Sequence, residues 1–293
     1  MVKRNRRLST LLDGLPLIAL PSAAIFFWNH DWPRWTWMWT IAFALFGGLK
    51  WLSWRQATSR NCSTIRSIAY LIAWPGMNAD AFLTQNAERQ SSRWNLPIAI
   101  VNFVIGVTLL WLSTQVLQVN ARGWMAMIGI IFVLHFGMFA ILASIFQRFR
   151  IDAQPIMNFP VLSCSLAEFW GKRWNLAFRD LTHKFLFRPL AKHFNVRVAM
   201  FIGFLVSGLI HELAITIPGG GGYGGPTAYF LIQALGLNVE RSKFGSTLGL
   251  RRGWAGWLFA MLVLVTPLTL LFPGIFIVNV ILPFVDALGI GDI

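Results

Sequence analysis

Cysteine and charge are both scarce in this chain. Cys62 and Cys164 are its only thiols, far apart and without the paired spacing of a zinc site. Neither a disulfide framework nor a zinc module is expected, and each cysteine reads as a free, partly buried thiol. Charged residues are 12% of the 293 positions, against about 25% in soluble globular domains. That deficit excludes an ordinary soluble fold. No internal repeat is visible, and no basic-aromatic module of an RNA-binding type. The glycine cluster from Pro218 to Pro226 lacks the lysine and strand context of a phosphate loop, so it reads as a flexible connector.

Apolar sequence is what the chain has in quantity. Hydrophobic residues make up 56% and the mean hydropathy is +0.59. A spanning helix needs about 20 mainly apolar residues. Candidate runs are 15–29, 35–53, 95–114, 124–146, 198–217, 223–238 and 254–288. The last is long enough for two passes, broken at Phe272-Pro273-Gly274. The first is read as a retained span, because Phe26-Phe27-Trp28 carries it past the small residues that would suit a cleavage site. The expectation is an all-α, polytopic transmembrane bundle forming a single domain over 1–293, with about eight spans. Tryptophans 28, 32, 35, 37, 39, 51 and 54 gather near the ends of the first two runs, the interfacial depth that indole favours.

The net charge of +14 sits between apolar runs, as cytoplasmic loops require, and no nucleic-acid partner is expected. Four basic groups recur: Lys3 to Arg7; Arg55, Arg60 and Arg66; Arg148 to Lys192; and Arg241 to Arg252. They share one side only if the segment 67–83, interrupted by Pro75-Gly76, enters the bundle and returns. It is therefore read as re-entrant, with the N-terminus cytoplasmic.

Two stretches carry polar chemistry. In the first, Ser165 and Glu168 fit a capping box that opens a helix. At about 100° per residue, Leu166, Trp170, Trp174, Ala177 and Leu181 fall on one face, and Glu168, Lys172, Asn175, Arg179 and His183 on the other. This predicts one amphipathic interfacial helix, with a Glu168–Lys172 pair, running to Arg188-Pro189. In the second, His211-Glu212 lies inside an apolar run. Gly203, Ser207, His211 and Ala214 share a face there, and small residues on a face let helices approach closely. His211 is expected to point into the bundle, roughly 20 Å from Arg197. An ionisable pair at that depth marks a site. Imidazole can take a proton from an attacking alcohol at physiological pH.

The run Pro160, Ser165-Leu166, Phe169-Trp170-Gly171-Lys172-Arg173-Trp174-Asn175 and Pro189, with Phe204-x-Val206-Ser207-Gly208-Leu209-x-His211-Glu212, resembles the wax synthase-like branch of the membrane-bound O-acyltransferases. The likeness is tight over 155–240. It implies transfer of a fatty acyl group from a thioester, acyl-CoA as co-substrate with no bound cofactor or metal, to a hydroxylated lipid such as a long-chain alcohol. It implies an integral membrane enzyme of a bacterial inner membrane or the endoplasmic reticulum. His211 and Asn175 match the family's reacting residues. Glu212, Ser207 and Trp174 are candidate supports; Lys172, Arg173, Arg179 and Arg188 are candidate contacts for the acyl carrier. Acetyl transfer, sterol, glyceride or polar acceptors, and a transporter keeping the scaffold are the alternatives. His135-Phe136-Gly137 resembles a family stretch that precedes the box and reads as a structural polar contact. Trp74-Pro75-Gly76-Met77-Asn78 resembles bacterial members and is expected to line the chamber. His30, His183 and His193 read as surface residues, and Gln233 and Glu240 receive no role.

Overall fold

The computed structural model describes residues 6–58, 63–84 and 95–290. Lys3, Arg4, Arg60 and Cys62 lie outside the described residues. All regular structure in the described residues is helical. Four helices are long and apolar enough to cross a membrane: Leu96–Thr114, Val119–Arg148, Val196–Gly219 and Gly253–Leu271. Shorter apolar helices cover Leu12–Phe26, Thr64–Ala73 and Gly274–Ala287. The expected break at Phe272-Pro273 is present, with Phe272 and Pro273 both non-helical.

Helices α1 (Arg6–Phe26) and α2 (Arg34–Arg55) form a tight hairpin. A Cβ on Gly48 would lie 2.6 Å from Leu17 Cα, so the backbones touch there. Asp13 closes the pair, accepting from Arg55 at 2.9 Å and Gln56 at 3.0 Å. Helix α3 (Thr64–Ala73) ends at an extended Trp74, and α4 (Ala79–Leu83) follows the loop. Arg66 then donates to the Thr84 carbonyl at 3.0 Å, so both ends of this segment lie together. Helices α5 (Asn95–Thr114) and α6 (Val119–Arg148) make the next hairpin. A Cβ on Gly106 would meet the Val133 backbone at 2.6 Å. Residues 132–138 of α6 take wide π-type turns.

Helix α7 (166–173) and helix α8 (176–190) carry the tryptophan-asparagine box. Helix α9 (Val196–Gly219) packs along α10 (Gly225–Arg241), and α11 (Lys243–Thr247) leads to α12 (Gly253–Leu271) and α13 (Gly274–Ala287). At the α9–α10 crossing, a Cβ on Gly208 would fall 2.7 Å from Thr227 Cα. The connector between them turns through Gly220, Gly222 and Gly224, with φ of 76°, 78° and 83°, a region L side chains avoid.

The largest core joins Ile215, Tyr229 and Phe230 to Phe276, Ile277 and Val280. A second joins Leu166 and Phe169 of the box to Met200, Leu237 and Leu264. The bundle has two chemically distinct ends. At one, Arg66 reaches the Arg150 carbonyl at 3.5 Å and Lys184 pairs with Asp80 at 3.2 Å. At the other, Arg34 donates to the Pro218 carbonyl at 3.2 Å, Gly219 packs on Phe276, and Arg122 pairs with Asp286.

Candidate active site

Ser165 opens α7 as predicted, its hydroxyl accepting from Glu168 N at 3.0 Å. Glu168 reaches back one residue further than a simple capping box, to Cys164 N at 2.8 Å. Its ion partner is Arg173 at 2.7 Å, in place of the expected Lys172. The cause is local: residues 169–173 form a π-type turn, which makes i and i+5 neighbours. Burial works to raise the Glu168 carboxyl, but the Cys164 N–H and Arg173 hold it below the ordinary carboxylate range.

The single amphipathic helix expected across the box is not continuous. It breaks at an extended Trp174 and a left-handed Asn175, with φ of 40°. Asparagine tolerates that conformation better than most residues. Its Oδ1 then accepts from Phe178 N at 3.2 Å and caps α8. Two backbone bonds pin the break to the preceding segment: Asn158 N to the Arg173 carbonyl and Leu176 N to the Ile156 carbonyl, each at 2.8 Å. Leu166, Ala177 and Leu181 are buried as the face pattern predicted. The opposite face departs from it, because Asn175, Arg179 and His183 border a cavity.

That cavity has a volume of about 830 Å³, within the usual range for small-molecule sites. It follows one face of α9 from Ala199 to Ala214, a length of about 22 Å at 1.5 Å per residue. Gly203, Ser207, His211 and Ala214, predicted to share a face, all lie on it. Gly203 serves the cavity and not a helix contact: a Cβ there would meet nothing within 4 Å. The close approach falls to Gly208 instead.

His211 Nδ1 lies 2.7 Å from the Ser207 carbonyl. A carbonyl only accepts, so Nδ1 carries the proton and the neutral ring keeps its lone pair on Nε2. The Phe230 ring backs the imidazole at 4.6 Å between centroids. Ser207 Oγ donates to the Gly203 carbonyl at 2.9 Å, so Ser207 orients the ring through its backbone. Glu212 does not reach the imidazole. One carboxylate oxygen accepts from Thr216 Oγ1 at 2.7 Å, the other from Thr227 N and Oγ1 at 3.0 Å, tying α9 to α10.

His211, Ser207, Trp174, Asn175 and Arg179 therefore border one space, and Lys172, Arg173, Arg188 and Glu212 do not. Arg173 is held by Glu168 and the Asn158 and Phe159 carbonyls. Arg188 donates to His183 Nε2 at 3.1 Å, and His183, although exposed, also borders the cavity. Arg179 uses three donors on Asp180 and the Gly171 carbonyl, leaving two of its five. Trp74, Pro75 and Met77 contribute a wall, as expected for that loop.

Sequence reasoning missed three residues around this space. Arg241 borders the cavity beside Met200. Glu240, fully buried, accepts from Leu166 N at 2.5 Å and Ala167 N at 3.3 Å, so it caps the box helix from α10. Lys50, also buried, donates to the Gly76 carbonyl at 2.5 Å and lies 3.4 Å from the Tyr70 ring centroid, fixing the loop wall. The available signal was an ionisable residue in or beside an apolar run. Among the described residues, no three His, Cys, Asp or Glu side chains gather as a metal site.

Comparison with known proteins falls on this region. Residues 153–232 match the membrane bound O-acyl transferase family. This segment is similar to membrane-bound O-acyltransferase sequence. A probable long-chain-alcohol O-fatty-acyltransferase 3 of Arabidopsis thaliana is 30% identical over 179 residues, 55% of this chain and 49% of the relative. A long-chain-alcohol O-fatty-acyltransferase of Simmondsia chinensis is 37% identical over 71 residues, 22% of this chain and 20% of the relative. An acyl-CoA–sterol O-acyltransferase 1 of Arabidopsis thaliana is 33% identical over 93 residues, 29% and 27% of the two chains. The matches thus span about half the length of the first relative and less of the others. The box, its break at Asn175 and the His211 helix all lie inside the matched segment.

Proposed function

We propose that this protein transfers a fatty acyl group from acyl-CoA to the hydroxyl of a long-chain alcohol, as in wax ester synthesis. The observation that carries the reading is that His211 and Asn175, 36 residues apart in sequence, border one cavity. His211 Nε2 takes the alcohol proton as the alcohol oxygen attacks the thioester carbonyl carbon. Asn175, whose Oδ1 is spent on the cap, offers Nδ2 to the developing oxyanion. The carbon–sulfur bond then breaks and the thiolate leaves, regaining a proton from the imidazolium. Transfer is direct, in a ternary complex. The apolar lining, including Phe43, Phe46, Leu49, Met138 and Leu142, favours a lipid acceptor over a polar one. Arg179 and Arg241 border the cavity where the anionic carrier would sit.

In the same reading the whole chain is one membrane-embedded unit. The helices beyond the four long ones supply further passes, making about eight, and 67–83 re-enters. The Arg66–Thr84 bond supports the re-entry, since it brings entrance and exit together.

The test is lipid analysis of cells expressing the chain against His211→Ala and His211→Gln. Wax ester should accumulate with the wild type and fall by at least about 10² in both variants, the usual contribution of a general base. Near-normal ester formation by a well-inserted His211→Ala protein removes this mechanism.

A further inference from the structure

Five buried side-chain nitrogen or oxygen atoms have no hydrogen-bond partner among the described residues: Trp39 Nε1, Arg122 Nε, His135 Nδ1, Trp170 Nε1 and Gln233 Oε1. Three of the five, on Trp39, His135 and Trp170, belong to residues bordering the His211 cavity. An unmet buried polar atom costs about 1–3 kcal/mol. These three nitrogens have almost no accessible surface, so they lie behind the cavity wall and do not themselves meet an occupant.

His135 is the informative member. Neither ring nitrogen makes a hydrogen bond to the described residues, Nε2 is not among the shut-off atoms, and the Phe139 ring lies edge-on 5.4 Å away. It is therefore not the structural polar contact that its sequence context suggested. It lies on the π-type turns of α6, a feature frequent at functional sites. Its position relative to His211 can be counted from a common anchor. Gly123 of α6 packs on Ile277 and Gly219 of α9 packs on Phe276, adjacent residues of α13. From there His135 is 12 residues along one helix and His211 is 8 along the other, roughly 18 Å and 12 Å. The two imidazoles thus border the same cavity at depths that differ by about one helical turn, on helices from different hairpins.

We propose that His135 binds a second oxygen of the acyl acceptor, separate from the hydroxyl that is acylated. Resting on the acyl-transfer reading, this assigns the acceptor to lipids with a second oxygen function, such as a long-chain diol or hydroxy ester, over the plain alkanol. His211 addresses the reacting hydroxyl, and His135 selects by holding the other oxygen.

The experiment measures binding first and turnover second, on the purified full chain in nanodiscs. A saturated long-chain primary alcohol is compared with diols of the same length whose second hydroxyl is stepped along the chain. Native mass spectrometry without acyl donor should show one diol position binding roughly three- to tenfold tighter than the alcohol, the worth of one hydrogen bond. His135→Phe should abolish that preference while leaving plain-alcohol binding unchanged, and His135→Asn, which keeps a hydrogen-bonding side chain, should retain part of it. With acyl-CoA added, the same diol should show the lower KM at unchanged kcat. Equal binding of all acceptors by the wild type, or a preference that survives in His135→Phe, overturns the proposal. Loss of plain-alcohol binding in both variants also overturns it, since His135 is then structural. A binding preference without transfer to any acceptor leaves this subsite standing and removes the acyltransferase reading.

Discussion

At the residue scale, Asn175 joins two demands that mutagenesis can separate. Its backbone is left-handed and its Oδ1 caps α8, while its Nδ2 is proposed to serve the reacting carbonyl. Asn175→Ala loses the cap, about 1 kcal/mol, and adds roughly 1–2 kcal/mol of left-handed strain. Asn175→Gly keeps the turn and costs only a few tenths of a kcal/mol at the cap. The glycine variant should insert and melt like the wild type, yet lose acyl transfer by about 10²–10³, the cost of removing an oxyanion donor, with acyl-CoA affinity little changed. Full turnover by Asn175→Gly would leave Asn175 a turn residue only. His211 poses no such ambiguity: its bond to the Ser207 carbonyl is local to one helix turn, so substituting it disturbs no interhelical contact made by hydrogen bonding.

At the element scale, α9 presents a cavity on one face and a helix contact on another, each through a glycine. Gly208→Leu would drive a side chain into the Thr227 backbone, and overpacking of this kind costs about 1–3 kcal/mol or more. Gly203→Leu meets open space. We expect Gly208→Leu to lower the melting temperature in detergent, and Gly203→Leu to preserve it while reducing turnover by filling the cavity. Equal melting of the two would remove the distinction between the faces. Much of this was legible beforehand. Helical periodicity placed Gly203, Ser207, His211 and Ala214 together, and Pro273 marked the break before α13. The break inside the box was not legible, because nothing in a 100° projection distinguishes an asparagine within a helix from one that ends a turn and caps the next. The π-type turn at 169–173 was equally hidden, and with it the choice of Arg173 over Lys172 as the partner of Glu168. Glu240 and Lys50 showed as ionisable residues in or beside apolar runs, but their partners, 74 and 26 residues away, are tertiary facts.

At the scale of the whole molecule, the basic loops converge in a way their sequence positions alone did not require. Arg55 pairs with Asp13, Arg66 reaches the Arg150 carbonyl, Lys184 pairs with Asp80, and Thr58 N donates to the same Asp80 at 2.6 Å. These contacts link loops on either side of α1–α2, α3–α4 and α5–α6 at one end of the bundle. The connector of Gly219 to Gly224 packs at the other end, against Phe276 and Pro273. Under the proposed function, the positive-inside rule would put the first end in the cytoplasm, the side of the acyl carrier. Ala199 lies near that end, and His211 is about 18 Å further along α9, so in the proposed reading the thioester would enter there, through a funnel leading to the imidazole. The prediction concerns single introduced cysteines in a chain with Cys62 and Cys164 replaced by serine. Lys184→Cys, on an exposed residue, should react with an impermeant maleimide from the cytoplasmic side only. Tyr223→Cys, on a side chain 69% exposed, should react from the opposite side only. If both label from one side, the bundle ends do not face opposite compartments, and the even pass count, the re-entrant reading of 67–83 and the funnel fall together.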